Sequence, residues 1–130
     1  MAALGRLSSL EEFPHDPQPV FTDDFKGQDW RRLIGIGPTD AVGLWKSWRL
    51  DGELGGGPAL ASLTTLAVRG ERGFAALVHT SYRNDFTNDR IHVVYFDRTL
   101  RLLQAYTILD EDRRDEAIAE LDRMHAELGD

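Results

Sequence analysis

The sequence contains no cysteine, which excludes a disulfide framework, a thiolate nucleophile and a cysteine-based zinc site. It also lacks any run of about 18 apolar residues, so no membrane-spanning helix is expected. The first ten residues lack the apolar core of roughly 7–15 residues that marks a signal peptide. A cytoplasmic location is the expectation. Basic residues are outnumbered: 15 Lys and Arg against 22 Asp and Glu give a net charge of −7. Phosphate backbones are bound by clustered Lys and Arg, so neither nucleic acid nor a membrane surface is an expected partner.

What remains is an ordinary globular composition: 130 residues, 42% hydrophobic and 28% charged, enough for a single core. Residues 1–19 read as a short N-terminal helix, Met1–Glu12, followed by a connector in which Pro14, Pro17 and Pro19 forbid regular structure. Residues 20–130 read as one α+β domain. Asp23, Asp24 and Phe25 suggest a helical turn, with a short strand over Lys26–Arg32. Thr39 is placed as the N-cap of a helix running from Asp40 to about Leu50, with Ala41, Val42, Leu44, Trp45 and Trp48 on its buried face. A glycine-rich loop, Asp51–Pro58, follows.

From Ala59 the hydrophobic period changes to two, which predicts strands over Leu60–Arg69, Gly73–Arg83, Asp89–Asp97 and Leu100–Leu109. Alternation puts His92, Val94 and Phe96 on one face of the sheet, and Ile91, Val93 and Tyr95 on the other. In the last strand Leu102, Gln104, Tyr106 and Ile108 are expected to share a face. A closing helix over Arg113–Leu128, capped by Asp112, carries the apolar stripe Ala117, Ile118, Leu121, Met124 and Leu128.

These pieces resemble the NTF2-like superfamily, and within it the SnoaL-like domains. The resemblance rests on Asp23-Asp24-Phe25 followed by Asp29, on Gly37-Pro38-Thr39-Asp40 leading into a single helix, on the run Val93-Val94-Tyr95-Phe96-Asp97, and on Asp110 before the last helix. It covers Val20 to Leu128. It implies a cone: a curved antiparallel sheet packed against helices, the C-terminal one included, around an apolar pocket. The chain departs from the family in offering only Met1–Glu12 to roof that cone.

By that resemblance Asp29 stands where a general-base carboxylate is kept and His92 where a proton-donating acid is kept. The apolar positions Trp30, Trp45, Val94, Phe96 and Tyr106 would line the pocket. Two functions are compatible with this: a non-catalytic or weakly catalytic domain that binds a small apolar molecule or pairs with another chain, and an enzyme of the cyclase, isomerase or epoxide-hydrolase kind using Asp29 and His92 as an acid–base pair. An ion pair between Asp29 and a following arginine competes with the catalytic role. No cofactor is called for, and no histidine pair has metal-ligand spacing. Ser81 and His79 share a strand face without an orienting acid in sequence, and no glycine run has the Lys-Ser/Thr of a phosphate loop. A homodimer is expected, because a sheet face carrying Leu77, His79, Ile91, Val93 and Tyr95, or the alternate set, must meet a helix or a second chain.

Overall fold

A computed structural model describes residues 21–32, 37–44, 46, 59–85 and 87–129. The N-terminal helix and proline connector, the expectations for Trp45 and Trp48, and the glycine loop lie outside those residues.

Among the described residues six strands form one sheet: β1 (Phe21–Asp29), β2 (Gly37–Thr39), β3 (Ala59–Arg69), β4 (Gly73–Tyr82), β5 (Thr87–Phe96) and β6 (Leu103–Asp110). Their order is β2-β1-β6-β5-β4-β3. The expected all-antiparallel sheet is corrected in one respect: β1 runs parallel to β6, while every other neighbouring pair is antiparallel. Asp23, Asp24 and Phe25 belong to β1 and form no helical turn. Phe21 and Phe25 are both buried and meet edge to face.

Bulges interrupt the register in β1, in β3 between Thr65 and Ala67, and between β5 and β6 at Tyr95/Phe96. Each adds local twist and bends its strand, which curves the sheet. The last of them explains why β6 departs from simple alternation. Phe96 opposes Leu103 and Tyr95 opposes Ala105, so Gln104 is the extra residue. Leu103, not Leu102, joins Tyr106 and Ile108 on one face.

The sheet has a core on each side. On one, Phe74, Ala76, Val94, Phe96, Leu103, Tyr106 and Ile108 pack with Phe21, Phe25 and Leu44. Leu44 lies among residues 41–44 and 46, which are helical. Asp40, not Thr39, caps them: its Oδ1 accepts from the Gly43 N–H at 2.8 Å, the bond that satisfies an otherwise orphaned donor of the first turn. Gly27 makes room beneath, since a Cβ there would stand 2.9 Å from the Phe25 ring and 3.5 Å from Leu44.

On the other side lies α1 (Arg114–Leu128), which buries Ala117, Leu121 and Met124. They pack against Ala75, Ile91, Val93, Tyr95, Ala105 and Leu109. This face is therefore covered from within the chain at Ile91, Val93 and Tyr95, and those residues are not available to a second copy. The helix leaves β6 by the Arg113 N–H to Asp110 carbonyl bond and ends beside the β3–β4 turn. There Gly70 holds φ +58° and His125 lies against it, while Tyr95 Oη meets His125 Nδ1 at 2.9 Å. Asp112 does not cap it. The N-cap is Arg113, without a side-chain bond, and Asp112 instead accepts from Arg32 at 3.1 Å. Asp115 and Glu116 in the first turn offset the helix dipole in its place.

Candidate functional site: a buried polar row

Following the register across the sheet gives one transverse row on the face away from α1: Gly37, Asp29, Ile108, His92 and Ala76 are successive partners from β2 to β4. Asp29 and His92 thus lie two strands apart with Ile108 between them, about 10 Å by backbone spacing. The neighbouring row holds Phe74, Val94, Tyr106, Gly27 and Thr39. The parity expected for His92, Val94 and Phe96 is the parity observed.

Trp30 falls elsewhere. Trp30 directly follows β1 and its N–H still bonds the Ile108 carbonyl at 2.9 Å, so the alternation of the strand carries over and, with Asp29 turned inward, Trp30 turns toward the α1 side. It is 42% exposed and lines a cavity of about 310 Å³ with Thr107, Leu109, Arg113, Glu116 and Glu120. A second cavity there, about 420 Å³, shares Thr107 and adds Lys26, Gln28, Gln104 and Arg123. Val94, Phe96 and Tyr106 are brought together; Trp30 is not among them.

Asp29 is fully buried, and so is its partner. Arg31 donates from Nε to Oδ1 at 2.9 Å and from Nη2 to Oδ2 at 2.5 Å, and its backbone N–H adds a bond to Oδ1 at 3.2 Å. This is the ion pair that competed with catalysis in the sequence, in bidentate form. Both oxygens that a general base would use already accept from Arg31.

His92 is held from both sides. Arg90 Nε donates to Nε2 at 3.0 Å, and because a guanidinium can only donate, Nε2 carries no proton. The ring is then neutral with its proton on Nδ1, which donates to the hydroxyl oxygen of Tyr106. Arg90 is itself fixed by the Thr80 hydroxyl at 2.6 Å and the Asn88 carbonyl at 3.0 Å. Burial, then the charges of Arg90 and Arg31, drive the His92 pKa well below its usual value. Burial pushes the Tyr106 phenol up, partly offset by Arg90, so the hydroxyl stays protonated.

Arg90 is singled out by no motif in the sequence, although its parity with His92 is readable there: an arginine at an inward position of a strand is a signal in itself. Another group appears only in three dimensions. His79 pairs with Asp89 across β4 and β5, through Nδ1, while its Nε2 lies 3.1 Å from Ser81 Oγ. The acid missing beside Ser81 and His79 in sequence is thus supplied by the next strand, on an exposed surface. Among the described residues no three His, Asp or Glu converge as a metal site, and no helix is long and apolar enough to cross a membrane.

No protein-family model, curated protein or solved structure matches this chain.

Proposed function

We propose that the chain is a small-molecule-binding domain of NTF2-like, SnoaL-like type. In this reading an apolar molecule is taken in against Val94, Phe96 and Tyr106 by parting the residues packed on them, Phe21, Phe25 and Leu44, and the Asp29–Arg31 and Arg90–His92–Tyr106 groups form a fixed polar end that orients it. The six-stranded mixed sheet, its bulges and the C-terminal helix are compatible with the cone that the sequence resembles. The observation that carries the non-catalytic reading is the engagement of both acid–base candidates: Asp29 is chelated by Arg31, and His92 is neutral between Arg90 and Tyr106. A working base needs an available lone pair and a working acid needs a pKa near the operating pH.

A second reading rests only on Asp29 and His92 sharing one row and one face: ligand binding displaces Arg31 and frees Asp29 to exchange a proton with an apolar substrate, as in cyclases, isomerases and epoxide hydrolases. A thermal-shift panel of apolar ring compounds, each bearing one carbonyl or hydroxyl, separates these. The expected result is a raised Tm with at least one compound, recovered chemically unchanged. Ala76 sits beside His92 in the row, so Ala76→Phe should cost about 1–3 kcal/mol by overpacking and abolish that shift. A shift that survives Ala76→Phe would place binding elsewhere, and conversion of the compound would favour the enzyme.

A further inference from the structure

We infer that a second copy of this chain pairs antiparallel with the outer edge of β3, about a two-fold axis near Ser62. β3 ends the strand order, paired to β4 on one side and, among the described residues, to nothing on the other. Proteins ordinarily guard such an edge with lysine, proline or inward charges. Residues 59–68, Ala-Leu-Ala-Ser-Leu-Thr-Thr-Leu-Ala-Val, contain no charged residue and no proline. The first charge, Arg69, is already paired with Asp122 at 2.6 Å.

Exposure points to the same edge. Leu60 is 81% exposed and Leu63 45%. In a chain carrying −7 overall, two copies repel over most approaches, and an uncharged strand offers contact without opposing carboxylates. The occupant is a second copy because an antiparallel edge is its own complement: each unpaired N–H faces a carbonyl of the same strand turned by the two-fold.

The bulge between Thr65 and Ala67 limits the contact to residues 59–65, about 24 Å of edge at roughly 3.4 Å per residue. About six ladder hydrogen bonds form there, within the range of an ordinary interface. Symmetry about Ser62 sets Ala61 against Leu63 of the partner subunit on the side where Leu63 neighbours Val78. Leu60 meets Thr64 of the partner subunit on the opposite side. This pairing lies at the end of the sheet farthest from β1 and does not depend on the ligand-binding proposal.

Sedimentation velocity of the full chain over a wide concentration range tests it, alongside Leu63→Lys and Ser62→Cys. The parent chain should be a dimer. Leu63 is half exposed, so lysine is accommodated without loss of the far-UV circular dichroism spectrum. Leu63→Lys should raise the dissociation constant at least about tenfold, because a lysine guards an edge against strand pairing and the two lysines stand diagonally across the axis on one face. Since the chain has no other cysteine, Ser62→Cys should give a disulfide-linked dimer on mild oxidation. A parent chain that stays monomeric, or a Leu63→Lys dimer as tight as the parent's, would overturn the inference, as would amides of residues 59–65 whose hydrogen exchange is the same at low and high concentration.

Discussion

Arg31 is the residue on which the buried carboxylate of Asp29 depends. With side chains only 3% and 0% exposed, neither charge can turn to water if the other is lost. Arg31→Met should destabilise the fold by about 3–5 kcal/mol, the cost of leaving a buried charge uncompensated. Adding Asp29→Leu should recover most of that loss, because replacing both partners by apolar groups of similar size is close to neutral. Urea denaturation of the two variants checks it, and an Arg31→Met protein as stable as the parent would show that Asp29 is held by something else. The pair was partly legible: an aspartate two residues before an arginine invited the ion pair as readily as the base. The burial that makes the pair rigid was not legible, since it depends on Asp29 lying between β2 and β6, opposite Gly37 and Ile108.

At the scale of elements, the strands were legible where period-two alternation is clean. Val93 and Val94, or Ala75 and Ala76, separate onto two cores as that pattern requires. Legibility failed where local chemistry competes with the pattern. The bulge at Tyr95/Phe96 shifts β6 by a residue, so Leu103 stands where Leu102 was expected. Trp30, the residue after β1, does not join Asp29, because its backbone still bonds Ile108 and its ring turns to the opposite side, beside Thr107 and Leu109. The parallel pairing of β1 with β6 had no local signal, because strands separated by most of the chain choose one another through the shape of the whole sheet. The helix α1, by contrast, announced itself through its stripe. Leu121 is fully buried against Tyr95 and Ala75, so Leu121→Ala should cost about 2–5 kcal/mol. A thermal melt within error of the parent would mean that α1 docks only weakly on the sheet.

Over the whole molecule, the displaced pKa of His92 links stability to pH. The folded-state value lies well below the usual one, whereas the unfolded chain titrates near about 6.5. The unfolded state therefore binds the extra proton first as pH falls. The stabilisation is complete above about 6.5 and is lost progressively below it, toward the folded value. Tm should fall between pH 7 and pH 5, and His92→Gln, which cannot titrate, should lower Tm at pH 7 yet flatten that slope. Asp97 contributes separately in more acid solution. Burial would raise its pKa, but the Thr99 hydroxyl and the backbone N–H groups of Leu102, Arg101 and Thr99 outweigh it and hold the value down, so its share is present above the ordinary carboxylate range and lost as pH falls through the lowered value.

His92 is neutral and engaged on both ring nitrogens, which in the proposed reading makes it part of a fixed polar end and not an acid poised for proton transfer. The nitrogen-15 chemical shifts of its imidazole, followed from pH 8 to pH 5, report this directly. The ring should stay neutral and protonated at Nδ1 through the region near about 6.5 where a free imidazole charges. A titration centred near about 6.5, with both nitrogens becoming protonated, would contradict it and return His92 to the role of a general acid.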